Sequence, residues 1–143
     1  MVGRVFESLI CWPHIDHVQP TIPVTLSTLD GRRVIHDEHL PVDTGFAGAM
    51  LLTRDTFSHF EKAELPESES HVYRTLIGPL PMRTARASLT LPFHDEVEIL
   101  VDTPRYGVGK SLLGLRALTK TLLLFHGHNS ETCVLKEIGS VEK

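Results

Sequence analysis

The stretch Leu40-Pro41-Val42-Asp43-Thr44-Gly45-Phe46-Ala47-Gly48-Ala49-Met50-Leu51-Leu52 sets an acidic turn between two apolar runs. Carboxylates rarely enter such a setting without partners. The neighbours of Asp43 can supply them. Thr44 offers a hydroxyl able to bond backbone, and Gly45 lets a main chain come close or take a positive φ. A turn of this kind can hold one carboxylate in a defined pose with backbone N–H donors nearby. Asp before Gly is also common in ordinary turns, so the meaning of the stretch depends on what surrounds it.

Upstream, Thr21 to Ser27 alternates and is rich in β-branched residues, which predicts a strand. Leu29-Asp30-Gly31 is a turn signal, and Arg33 to Leu40 reads as the returning strand that delivers the chain to Asp43. Downstream, Thr53 to Lys62 predicts a short helix capped by Thr53, with Phe57 and Phe60 on one face. Leu65 to Ser70 is a polar loop. His71 to Ile77 and Met82 to Leu91 flank Gly78-Pro79-Leu80-Pro81, the pattern of a hairpin. Val97 to Val101 is a further strand, and Tyr106 to Lys110 a flexible loop. That loop feeds the apolar segment Ser111 to Leu118, whose second half is expected to be helical. Leu122 to Phe125 and Cys133 to Leu135 are closing strands around the turn His126 to Asn129. Many short strands with one or two short helices predict an all-β barrel or sandwich.

The chain has 143 residues and a net charge of −4. That length fits one domain able to bury a core. The charge and the lack of a long basic run argue against nucleic acid. No apolar stretch is long enough to span a membrane. An early Glu7 followed by Trp12-Pro13-His14 is unlike a signal peptide, so a cytoplasmic location is expected. Cys11 and Cys133 make no metal motif, and their pairing stays open. Nine histidines include the pairs His14/His17, His36/His39 and His126/His128. Pairs alone do not make a zinc site, and residues three apart on a strand face opposite ways. No metal and no cofactor are expected. Gly107 to Ser111 lacks the spacing of a phosphate loop and reads as a connector.

Asp43-Thr44-Gly45-Phe46-Ala47-Gly48, then a hairpin, then Leu112-Leu113-Gly114-Leu115 make a specific combination. It resembles the retropepsin-like aspartic proteases, and among them a prokaryotic branch with the signature Asp-Thr-Gly-Phe-x-Gly. The resemblance runs from about Thr21 to Leu135. It implies a closed acid-protease barrel with a flap hairpin, as a single domain over residues 1–143. Residues 1–20 would form an N-terminal extension or an edge strand. It also implies catalytic roles for Asp43, Thr44 and Gly45, and substrate contacts from Phe46, Ala47, Ile77, Gly78 and Pro79. Leu112, Leu113 and Gly114 would pass behind the catalytic loop and support it. Pro79 and Pro81 depart from the usual glycine-rich flap. Phe46 stands where many aspartic proteases carry Ala or Ser; without a hydroxyl there, any activity is expected to peak near mildly acidic or neutral pH.

The chemistry needs two carboxylates sharing one proton. A second Val-Asp-Thr occurs at Val101-Asp102-Thr103, but Pro104 stands in the place of the required glycine and removes an N–H donor. The gap from Asp43 is also too short for a second lobe. Asp102 is therefore expected to end a strand near a loop. The second catalytic Asp must be Asp43 of another copy, which predicts a C2 homodimer acting on peptides or unfolded proteins. The alternative is a non-catalytic module of the same fold that serves dimerisation or peptide binding.

Overall fold

The computed structural model describes residues 2–14, 19–119 and 121–142. Ten strands dominate: β1 (Val2–Pro13), β2 (Thr21–Ser27), β3 (Arg33–Pro41), β4 (Met50–Leu51), β5 (Val72–Thr75), β6 (Gly78–Thr90), β7 (Val97–Pro104), β8 (Leu112–Leu113), β9 (Leu123–His126) and β10 (Glu131–Glu142). One α-helical turn, α1 (Arg54–Phe57), continues into a 3₁₀ segment (Ser58–Ala63). Thr53 caps it: its side chain accepts the Thr56 amide, as the sequence predicts. Two further 3₁₀ turns follow, Glu67–Glu69 in the expected polar loop and Leu115–Leu118 after β8.

The strands form two sheets. The larger runs in the order β3-β2-β6-β7-β4-β8, with β5 added to β6; the smaller is β1-β10-β9. No continuous ladder closes the larger sheet into the expected barrel among the described residues. Its two ends meet instead at one parallel bridge, Val42 to Leu113, at the start of the Asp43 turn. Pairing of β4 with β7 is parallel, whereas β4 with β8 is antiparallel.

Strand β6 is the spine. Over its length it pairs with β5, β7 and β2. Ala85, Ala87 and Leu89 face inward from it and meet Ile22, Val24 and Leu26 of β2, Val101 of β7 and Leu113 of β8. Phe57 and Phe60 plug one side and are fully buried. Each such ring contributes roughly 1.5–3 kcal/mol relative to exposure. The Arg83 guanidinium lies 5.0 Å over the Phe57 ring and is paired with Glu64, which fastens the helical segment to β6.

The hairpin turn lies elsewhere than expected. Thr75 pairs directly with Gly78, so Leu76 and Ile77 make the tip, and Gly78-Pro79-Leu80-Pro81 is already strand. The two prolines are tolerated because β6 has no second neighbour there; its pairing with β7 begins at Met82. Asp102 is also placed differently. It lies inside β7, two residues before the end, and is fully buried rather than near a loop.

β1 lies at the edge of the smaller sheet, paired with β10 along most of its length. Cys11 and Cys133 face each other in that register and form a disulfide. Among the described residues, the histidines form no cluster with metal-ligand spacing, and His17 lies outside them. Cys11, Glu131 and Cys133 do have that proximity, but both sulfurs are committed to the disulfide.

The disulfide links residues 122 positions apart, so it restricts the unfolded chain over most of its length. Replacing both cysteines with serine (C11S/C133S) should lower stability by about 2–5 kcal/mol, read as a reduced urea midpoint under non-reducing conditions. Adding reductant to the wild type should reproduce most of that loss.

Candidate active site

Asp43 follows β3 and opens the loop to β4. Its amide donates to the Leu113 carbonyl at 2.8 Å, and its Oδ1 accepts the Gly45 amide at 2.9 Å. The Phe46 amide closes the turn by donating to the Asp43 carbonyl. The carboxylate is thus posed by its own loop. A Cβ on residue 45 would stand 3.1 Å from Asp43 Oδ1, a tight contact, so glycine eases the close approach there and is not called for by a positive φ. The apolar flanks Val42, Ala49 and Met50 are buried, but Asp43 is only half-buried and Thr44, Gly45 and Ala47 are exposed. The acidic turn therefore presents its functional groups outward from a buried base.

The base is the segment Leu112-Leu113-Gly114. Both leucines are buried. The Gly114 amide donates to the Ala49 carbonyl, Leu115 to Phe46 and Arg116 to Gly48. Loop and segment are so close that a Cβ on residue 114 would lie 2.1 Å from the Gly48 carbonyl oxygen and 2.5 Å from the Phe46 ring. Gly48 is similarly enclosed by the Phe46 ring and the Tyr73 hydroxyl.

The flap-like hairpin of β5 and β6 contributes Ile77, Gly78 and Pro79, together with Leu76, which sequence reasoning did not single out. Leu76 and Ile77 are fully exposed at the tip. Thr75 Oγ1 donates to the Gly78 carbonyl at 2.7 Å and accepts the Ile77 amide, which shapes the turn. Gly78 takes φ +124°, a conformation that favours glycine. At the base of the hairpin, Tyr73 packs edge-on against Phe46 with ring centroids 5.1 Å apart.

Sequence reasoning also missed the buried group behind this contact. The Asp102 carboxylate accepts from Thr84 Oγ1 at 2.7 Å, Tyr73 Oη at 2.7 Å and His71 Nδ1 at 3.0 Å. A carboxylate only accepts, so His71 Nδ1 is the donor in this contact. Burial and the bond to Asp102 push the Tyr73 phenol well above its usual range, which keeps it protonated and donating. Three donors compensate the buried charge. The available signal was weak: His71 and Tyr73 stand two apart in a segment that the sequence reads as one strand, which would put them on one face.

Substituting Gly114 with alanine should be among the most damaging single changes in the chain. Its methyl would collide with the Gly48 and Phe46 carbonyl oxygens as well as with the Phe46 ring, and backbone cannot swing aside as a side chain can. The expected outcome is a loss of about 3 kcal/mol or more in denaturant unfolding, or failure to fold. Alanine at Gly127, where nothing stands within 4 Å, should leave stability nearly unchanged.

No protein-family model matches this chain, and no curated protein does. Solved structures do match. A retropepsin-like aspartic protease from Rickettsia conorii is similar with a TM-score of 0.54 and 15% identity, covering 96% of this chain and 94% of that one. EIAV protease complexed with the inhibitor HBY-793 is similar over 70% of this chain and 85% of its own, with a TM-score of 0.45 and 18% identity. The likeness to the rickettsial structure extends over nearly the whole of both chains, and the fold of this protein is retropepsin-like.

Proposed function

We propose that the chain is an aspartic endopeptidase that works as a C2 homodimer, each copy being a single retropepsin-like domain that supplies one Asp43. The observation that carries this reading is the Asp43-Thr44-Gly45 turn. Its carboxylate is posed by a backbone amide, faces outward, and sits on the Leu112-Leu113-Gly114 base. One such turn holds half of the required chemistry. Two brought together by a two-fold axis hold all of it.

In that dimer the two Asp43 carboxylates share one proton, because like charges about 3 Å apart do not both ionise. The ionised partner takes a proton from water, and the protonated one donates to the scissile carbonyl oxygen. The water oxygen adds to the carbonyl carbon to give a gem-diol. Its collapse breaks the C–N bond as a proton passes to the leaving amine. Exposed Thr44 is free to bond across the axis to the opposite loop. Peptide would lie extended between the dyad and the flaps, against Phe46, Ala47, Ile77, Gly78 and Pro79, with strand-like pairing to backbone. The apolar, fully exposed tip residues Leu76 and Ile77 suit contact with a substrate or the opposing flap.

No metal or cofactor enters this mechanism. No helix of the described residues is long and apolar enough to cross a membrane. The Cys11–Cys133 disulfide favours an oxidising compartment over the cytoplasm expected from the sequence.

Cleavage of an unfolded protein should be abolished by Asp43→Asn and inhibited by pepstatin. Since each dimer needs two Asp43 residues, the mutant should also poison the wild type. With ninefold excess of exchanged mutant chain, activity per wild-type chain should fall about tenfold, as the statistics of a C2 pair require. Proteolysis that survives Asp43→Asn would overturn the enzyme reading. A dimer that binds peptide without cleaving it would establish the non-catalytic module. Activity unaffected by the mutant chain would remove the shared dyad.

A further inference from the structure

The buried Asp102 lies at a junction. Its carbonyl accepts the Leu52 amide, and it pairs with Leu51, so its backbone holds the strand that leaves the Asp43 loop. Its side chain reaches the other way, to Thr84 of β6 and to His71 and Tyr73 at the base of the flap hairpin. Thr84 Oγ1 also accepts the His71 amide, which fixes the start of that hairpin. Tyr73 then closes the circuit. Its hydroxyl is pinned by Asp102 and its ring packs on Phe46, whose carbonyl accepts the Leu115 amide.

A purely structural role would not call for this chemistry. Apolar residues of similar volume fill a core at least as well as a buried charge. A buried carboxylate with several donors does something else: it fixes the direction of each donor. Here the donor that matters is Tyr73, because it is the one that touches the Asp43 loop.

We propose that Asp102 and Tyr73 are positioning residues: Asp102 orients the Tyr73 phenol, and Tyr73 holds Phe46, and with it the Asp43 loop, in register with the base of the flap. The catalytic consequence rests on the peptidase reading above; the mechanical coupling does not. Phe46 thereby gains a function that neither alanine nor serine could perform at that position. The flap and the loop are set by one buried anchor and do not move independently.

Tyr73→Phe tests this with the least disturbance, since it keeps the ring and removes the hydroxyl. Hydrogen exchange on the full chain should speed up about fivefold to tenfold at the Phe46, Leu115 and Arg116 amides, the size expected from one lost hydrogen bond. Amides of the β1–β10 ladder should be unaffected. On a cleaved peptide, kcat should fall by a similar factor with a smaller change in KM. Asp102→Asn should reproduce both effects; if it does not fold, Tyr73→Phe alone carries the test. Phe46→Ala combined with Tyr73→Phe should add nothing to the exchange change at Leu115 beyond Phe46→Ala alone. Unchanged loop exchange in Tyr73→Phe, or acceleration spread evenly over the chain, would overturn the coupling. A loosened loop with unchanged kcat would overturn its part in the reaction. Exchange needs no activity, so a wild type that cleaves nothing would sink the peptidase reading while the exchange result still decides the coupling.

Discussion

The packing of the Asp43 loop against Leu112-Leu113-Gly114 is the constraint on which the rest of the structure depends. Four backbone bonds join them, from the amides of Asp43, Gly114, Leu115 and Arg116. The contact is too close for any side chain at residue 114. It is also where the two ends of the larger sheet meet, through Val42 and Leu113. A single feature therefore supports the loop that poses the carboxylate and joins the sheet's edges. Strands β4 and β8, two residues each, pair with one another beside it.

Phe46 shows how a site residue acquires meaning from its surroundings. In the sequence it is notable for the hydroxyl it lacks. In the fold its ring lies between Gly114 and Gly48 on one side and Tyr73 on the other. The two glycines leave room for the ring, for the Gly48 carbonyl and for the Tyr73 hydroxyl. Behind Tyr73 stands Asp102, whose buried charge is balanced by three side-chain donors, Tyr73 of β5, Thr84 of β6 and His71 just before β5. The polar cluster thus reaches the loop through the contact of Tyr73 with Phe46, while Leu76 and Ile77 at the hairpin tip are fully exposed.

Much was legible in the sequence because it is local. Alternation along Thr21 to Ser27 marks β2, and Leu29-Asp30-Gly31 marks the turn that follows it. Thr53 marks a helix start through a bond to an amide three residues on. The Asp-Thr-Gly turn and the Leu-Leu-Gly segment are short motifs whose backbone geometry follows from their own residues. Less legible was the hairpin turn. Gly78-Pro79 has turn composition, but composition does not register the pairing partner, and an unpaired edge accepts proline without loss.

What the sequence by itself determined is the class of fold and the turn that presents Asp43, since periodicity and turn chemistry act over a few residues. What only the tertiary structure decided is everything that needs distant segments to meet. The Cys11–Cys133 pairing, the two-sheet arrangement in place of a closed barrel, and the burial of Asp102 all belong there. Asp102 shows the reason most clearly. Nothing within β7 satisfies its carboxylate; His71, Tyr73 and Thr84 do, and they reach it only after β5, β6 and β7 have folded side by side.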